Sequence, residues 1–479
     1  MKRDQWAGNV GFVLAASGSA VGLGNLWKFP YIAWTHDGGS FVLVYLLCIV
    51  FIGMPIMVSE ILIGRHTESS PVPAFSKLRF PRWSFIGWLG VLAGLVILSF
   101  YSVIAGWSIS SFFQCMNWSI SGYQPPAEGA FGAFLANGSF QLGLSLLFSF
   151  LTAAIVLRGI SSGIEKATKV LMPGLLLIIL ILAIRSVFLP GFSEAMSFLF
   201  VPDFTEFSSQ SVLVALGHAF FTLSLGMGAM ITYGSYMPKK NSIIKASSAI
   251  VVLDTLIALF ACIIMYSIIL SSPSLKAELD SGGGGSTIGM LFVTIPRLFY
   301  TEMTGGFILA PLFYVLVGFA ALSSTISLLE VMVALLVDKM KFSRLKATTL
   351  AASVTYLLTI FCALSLGAVT FLSEWKVFGR SEEGLGHHLN KLLLSDKAGI
   401  FEILDHVAAN WLLPLGGLFI TIFVGWILPK KVSIEELGLL SDEGQPVLAY
   451  KIWLFIVRFL APLGILWIII NVFKGHDFS

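Results

Sequence analysis

Apolar runs long enough to cross a lipid bilayer, joined by short polar segments, recur along the whole chain. A spanning helix needs about 20 mostly apolar residues. On that rule the pattern predicts spans at about 8–33, 40–64, 84–117, 140–157, 164–187, 211–236, 242–270, 306–339, 347–371, 405–428 and 449–473. The predicted fold is therefore an all-α membrane protein of about eleven helices, filling 1–479 as a single domain. The longer joints, about 272–305 with Gly282 to Gly285 and about 372–404 with His387 and His388, read as loops with short helices that cover an entrance.

Two of these spans are poor helices at mid-depth. The first contains Ser17-Gly18-Ser19-Ala20-Val21-Gly22-Leu23-Gly24-Asn25 and the sixth contains Phe221-Thr222-Leu223-Ser224-Leu225-Gly226-Met227-Gly228. Each interior Gly costs about 1 kcal/mol relative to Ala, and Ser and Asn compete for backbone hydrogen bonds. Local unwinding is expected there. Unwound backbone at that depth survives only where protein or a wet cavity satisfies it. Small residues also serve close helix packing. The breaks, however, fall at corresponding places in two five-helix units, 8–187 and 211–428, with 449–473 as an additional eleventh helix. Paired breaks of this kind point to an inverted-repeat carrier with its binding site at the breaks.

Composition narrows the classes. Of 479 residues, 57% are hydrophobic and 11% charged, against roughly 25% charged in soluble domains. Mean hydropathy is +0.90, and a water-soluble fold is excluded. A net charge of +3 argues against nucleic acid as a partner. Cys48, Cys115, Cys262 and Cys362 lie in or near apolar segments without metal or disulfide spacing, and read as buried thiols. The basic start, Met1-Lys2-Arg3, runs into an apolar segment without a cleavage site and is expected to be retained. Arg65, Lys77, Arg79, Arg82, Arg158, Lys166, Lys239, Lys240, Lys245, Lys339, Lys341, Arg344, Lys346, Lys430 and Lys431 fall on the same side as Lys2 and Arg3. The expected topology is multi-pass in the cell membrane, N-terminus cytoplasmic.

Polar residues inside the spans carry the candidate chemistry. Asp254 sits deep in the seventh span, where an acid costs roughly 2.5–3.5 kcal/mol. It is either a protonated acid bonded to a neighbouring helix or a cation ligand, with carbonyls and side chains near Ala20, Asn25 and Thr222 able to complete an oxygen cage. Glu60 and Glu330 are placed to brace the broken helices by accepting backbone hydrogen bonds. Ser323, Ser324 and Thr325 put three hydroxyls together in the eighth span, a candidate second oxygen-rich site. His218 stands alone at mid-membrane, as a packing or hydrogen-bonding residue. No catalytic constellation and no nucleotide-binding motif is visible, so an enzyme and an organic cofactor are not expected.

The segments SGSAVGLGNLWKFP (17–30), RGISSGIEKATKVLMP (158–173) and FFTLSLGMGAMITYGSY (220–236) make the chain resemble the neurotransmitter:sodium symporter family, in particular its bacterial amino-acid transporters. The resemblance implies two sodium sites, one of Ala20, Asn25, Thr222 and Asp254, the other of Gly18, Val21, Ala320, Ser323 and Ser324. It implies an amino-acid site at Ser19, Ala20, Leu23, Gly24, Ile97, Tyr101, Phe221, Thr222, Ser224, Met227, Ser324 and Leu328. It also implies an outer gate of Lys28 with Asp405, an inner gate of Arg3, Trp6 and Asp338, and a helix that unwinds between Gly163 and Pro173 to release an ion. Lys28 stands where many members have Arg and cannot form a two-pronged pair. Asp254 stands where many have Asn, which suggests independence from chloride. Met227 stands where some members have an aromatic residue, and a flexible thioether suggests a hydrophobic or aromatic substrate. The expected function is sodium-coupled import of a neutral amino acid by alternating access, by a monomer or a homodimer. A passive facilitator or an amino-acid sensor are the alternatives.

Overall fold

The computed structural model describes residues 4–479 apart from 128, 206, 274–275, 277–288, 380–382, 441–444 and 478–479. The described residues are overwhelmingly helical and form no strand, only an isolated bridge between Leu440 and Pro446. Thirteen helical pieces carry the architecture. They are α1 Asn9–Ala20, α2 Gly24–Thr35, α3 Gly39–Thr67, α4 Pro81–Ser121, α5 Gly138–Leu157, α6 Ile160–Ser186, α7 Ser209–Thr222, α8 Ala229–Gly234, α9 Ile243–Ile269, α10 Gly306–Met340, α11 Arg344–Leu364, α12 Ile400–Ile427 and α13 Leu448–Phe473.

Nine of these are each long and apolar enough to cross a bilayer, and α1 with α2 makes one further span bent by 55°. The sixth expected span appears as α7 and α8, separated by Leu223 to Gly228. Several helices begin where the sequence supplies a cap. The side chains of Asn137, Ser208, Ser242 and Ser343 accept hydrogen bonds from the backbone N–H groups of Phe140, Ser211, Lys245 and Lys346, groups that a helix leaves without internal partners. The ninth expected span, 347–371, proves too long at its end. The helix stops at Leu364 and the chain turns through Gly367, whose φ of +110° an L side chain rarely adopts.

Glycines set how closely the helices approach. A Cβ on Gly64 of α3 would lie 2.0 Å from the carbonyl oxygen of Ile231 in α8, and one on Gly90 of α4 would lie 3.0 Å from the backbone of Gly228. Small residues permit this backbone-to-backbone contact, and it presses the second break against α3 and α4. On the face that holds Trp6, buried ion pairs tie the ends together: Arg65 with Glu436 at 2.7 Å, and Arg344 with Glu330 at 2.5 Å. At Glu436, burial opposes the charge, but hydrogen bonds from His66 and Arg65 hold its carboxyl below the usual range. The opposite face carries short helices at Ile295–Glu302 and Leu385–Leu394, as the long joints suggested; Gly282 to Gly285 lie outside the described residues. All four cysteines are buried free thiols.

Candidate functional site

Both breaks occur where the sequence weakens the helix. In the first, Val21 leaves α1 in an extended conformation (ψ 104°) and α2 restarts at Gly24. Asn25 closes the gap by accepting the N–H of Gly22 at 3.1 Å. In the second, Ser224, Gly226 and Gly228 all take positive φ. Glu60 accepts the N–H of Gly226 at 2.7 Å, the brace expected from the sequence. Glu330 behaves differently from expectation: it binds side chains, accepting from the Tyr236 hydroxyl at 2.8 Å and from Arg344. Arg344 opens the next helix and reaches back to Glu330, which the spacing alone did not indicate.

Asn25, Thr222 and Asp254 meet between the breaks, all essentially inaccessible to solvent. The Asn25 amide nitrogen donates to an Asp254 carboxylate oxygen at 2.8 Å and to Thr222 Oγ1 at 3.0 Å. The Thr222 hydroxyl lies 3.1 and 3.2 Å from the two Asp254 oxygens. One carboxylate among neutral oxygens suits a hard cation of low charge. Among the described residues there is no cluster of three His, Cys, Asp or Glu side chains of the kind a transition metal takes. Ala20 is buried at the end of α1 beside this group.

Above it lies a small cavity of about 30 Å³ lined by Ser19, Ala20, Gly24, Asn25, Ile97, Tyr101, Phe221, Thr222, Ser224, Met227, Ser324 and Leu328. Nearly all of the residues expected at a substrate site thus line one space; Leu23 is buried alongside and donates its N–H to the Tyr101 hydroxyl at 2.9 Å. Two lining residues escaped the sequence reading, Gly22 and Ser327. Gly22 lies inside the quoted glycine-rich segment. Ser327 accepts from the Ser19 hydroxyl at 2.7 Å, and its position one turn after Ser323 and Ser324 was the available signal.

The second oxygen-rich group also assembles. Ser324 Oγ lies 3.3 Å from the Gly18 carbonyl and 3.2 Å from that of Val21. Ser323 packs so close that a Cβ on Gly18 would meet it at 2.9 Å, and its hydroxyl is 3.0 Å from the Ala320 carbonyl.

The residues expected to form gates are arranged unequally. Trp6 is buried, its indole N–H donating to the Tyr233 carbonyl at 3.0 Å and its backbone N–H to Tyr236 at 3.1 Å, so it plugs the space under α8. Asp338 accepts the Ser70 N–H at 2.7 Å; Arg3 lies outside the described residues. Lys28 and Asp405 are not in direct contact in this conformation. The Lys28 ammonium instead sits 5.2 Å from the centre of the Phe221 ring, and acts on Asp405 through space. Gly163 and Pro173 both lie in the wound helix α6, Gly163 in a π-helical turn at Ile160–Ile164, a wider winding often found at functional sites. Glu165, beside Gly163, accepts the Ala7 N–H at 2.9 Å and so couples this helix to the N-terminal plug. His218 is buried and stacks on Phe29 at 5.3 Å, a packing residue.

Comparison with known proteins agrees with this geometry. Residues 3–124 and 133–381 match the model of the sodium:neurotransmitter symporter family. The chain is 34% identical over 474 residues to the uncharacterized sodium-dependent transporter YhdH of Bacillus subtilis, covering 98% of each. It is 29% identical to an uncharacterized sodium-dependent transporter of Haemophilus influenzae, again over 98% of each. The crystal structure of MhsT in complex with L-phenylalanine superimposes with a TM-score of 0.82 at 39% identity, covering 98% of this chain and all of that one.

Proposed function

From the premise that this chain belongs to the sodium:neurotransmitter symporter family, we propose that it imports a neutral hydrophobic or aromatic L-amino acid with two sodium ions, independently of chloride. The observation that carries this reading is the convergence of Asn25, Thr222 and Asp254 beneath a cavity walled by Ile97, Phe221, Met227 and Leu328. MhsT, with which the chain shares its fold, was crystallised with L-phenylalanine, and an apolar wall of this kind suits such a side chain. The substrate carboxylate meets Tyr101 and the start of α2, where backbone N–H groups and the helix dipole favour an anion. Its ammonium faces the carbonyls left open near Ala20, Phe221, Thr222 and Ser224. One sodium lies at Asp254 and shares the substrate carboxylate; the other lies among Gly18, Val21, Ala320, Ser323 and Ser324.

In this mechanism 8–187 and 211–428 are the two repeats and 449–473 is an appended helix. The N-terminus is cytoplasmic and the membrane is the cell membrane. Sodium and substrate enter from the face opposite Trp6, and the pieces containing the breaks rock against the remainder. Lys28 moves from Phe221 toward Asp405 as the outer side closes. On the inner side, Trp6 withdraws and the Gly163–Pro173 interval unwinds to free the second sodium. Inward movement of two net charges gains about 4.6 kcal/mol per 100 mV, at roughly 2.3 per charge, so accumulation needs no nucleotide.

Competition among the twenty amino acids for uptake into proteoliposomes tests the substrate. Phenylalanine, tryptophan, leucine and similar side chains are expected to compete, with no effect of replacing chloride by gluconate. A preference for glycine or acidic substrates would sink the assignment of the apolar wall. Tyr101→Phe removes one hydroxyl from the carboxylate's partners and is expected to raise KM roughly tenfold or more, since a hydrogen bond to a charged group is worth about 1.5–3 kcal/mol. An unchanged KM in initial-rate assays would place the carboxylate elsewhere.

A further inference from the structure

A second and much larger cavity, of about 600 Å³, opens on the face opposite Trp6. Its wall is built by the end of α4, by the connection from α4 to α5, and by the outer segment Met290–Glu302. None of its lining residues belongs to the site between the breaks. The wall is aromatic at both ends. Trp118, Tyr123 and Tyr300 pack on one another, the two tyrosine rings stacked at 5.2 Å. Phe131, Phe134 and Phe292 all pack on Trp107, with centroids 5.4–6.2 Å away. Hydrogen bonds hold the two sides in place: Tyr300 donates to the Cys115 carbonyl at 2.6 Å, and Ser119 to the Phe307 carbonyl at 2.6 Å. A volume of this size with aromatic walls and few polar groups is characteristic of small-molecule sites.

One charged group gives the cavity a chemical preference. Arg297 is the single charged side chain among its described lining residues, and its guanidinium acts electrostatically on Tyr123. The Tyr123 hydroxyl is buried and has no hydrogen-bond partner among the described residues. That hydroxyl has almost no accessible surface and so faces away from the cavity, which leaves the Arg297 guanidinium, a fork of five N–H donors that matches a carboxylate, as the charged group a ligand meets among the described lining residues.

We infer that this cavity binds a small apolar monocarboxylate, its carboxylate held by Arg297 and its aromatic or branched body between Trp118, Phe131, Phe134 and Phe292. Such a ligand bridges α4 and the outer segment Met290–Glu302 from a place distinct from the transported substrate. If the symporter reading holds, it slows transport without competing with the amino acid. Binding itself does not depend on that reading.

Radiolabelled phenylacetate, titrated onto the purified full chain in phosphatidylcholine nanodiscs, tests the site. Saturable binding is expected, and it should persist in saturating L-phenylalanine and in Asp254→Ala. It should weaken about tenfold in Arg297→Gln, an exposed position where misfolding is not a concern. Absence of saturation up to millimolar probe, an unchanged affinity in Arg297→Gln, or displacement by L-phenylalanine would each overturn the assignment. So would loss of binding when phosphatidylglycerol replaces phosphatidylcholine, which would give the cavity to an anionic lipid headgroup.

Discussion

Asp254→Ala is expected to abolish sodium-stimulated uptake, by about a hundredfold or more, while leaving a folded protein. Asp254 supplies the carboxylate that Asn25 and Thr222 converge on between the breaks, and it is fully buried. Holding an acid at that depth costs roughly 2.5–3.5 kcal/mol, a cost that a bound cation offsets. If Asp254 were only a structural acid, sodium would not stabilise the protein through it. A ligand that binds only the folded state adds about 2.7 kcal/mol at a hundred times its Kd. The wild-type melting temperature should therefore rise with sodium and not with potassium. In Asp254→Ala most of that rise should vanish, and Asp254→Asn, which keeps a neutral oxygen, should fall between. Equal sodium-dependent stabilisation in all three proteins would return Asp254 to a structural role.

Gly226→Ala is expected to have the second largest effect, through the backbone instead of the ions. Gly226 has φ +78°, and a Cβ there would stand 2.4 Å from the Leu413 carbonyl oxygen of α12. Gly416, one turn further along α12, lies equally close: its own Cβ would be 2.5 Å from the Gly226 carbonyl. The second break is thus seated on α12 by direct backbone contact, and its Gly226 N–H is held by Glu60. Forcing alanine into the left-handed region costs about 1–2 kcal/mol, and overpacking about 1–3 more. That total is a large part of the roughly 5–15 kcal/mol by which folded domains are stable. A drop of several degrees in melting temperature and an uptake loss beyond tenfold are expected. Gly143→Ala is the control, because nothing lies within 4 Å of a Cβ on that glycine; it should leave uptake unchanged and, as alanine inside a helix, raise the melting temperature slightly instead of lowering it. Comparable behaviour of the two variants would mean that the second break tolerates movement away from α12.

The breaks were legible before any coordinates because their cause is local. Glycine, serine and asparagine at mid-span fail as helix formers whatever surrounds them, and the structure unwinds at Val21 and Gly22 and at Leu223 to Gly228. The polar groups at the breaks were legible for a related reason, since Asp254 and the hydroxyls of the eighth span are expensive in an apolar run. What stayed hidden depended on distant packing. The position of Glu330 in the chain suggests backbone partners, but its partners are Tyr236 and Arg344, brought together only by the fold. The Lys28 ammonium lies over the Phe221 ring, a placement made by the fold that sequence spacing does not give. The end of α11 was misplaced since apolar character continues past Leu364, and a single turn at Gly367 stops the helix regardless.

The central claim is coupling of amino-acid entry to sodium, and one measurement tests it most directly. The purified protein is placed in liposomes and given a radiolabelled mixture of hydrophobic amino acids, with an inward gradient of either sodium or potassium. The account predicts accumulation above the external concentration with sodium and simple equilibration at most with potassium. Equal entry under both salts, with the protein shown to be folded, would contradict it and leave a passive facilitator or a sensor as the function of these breaks.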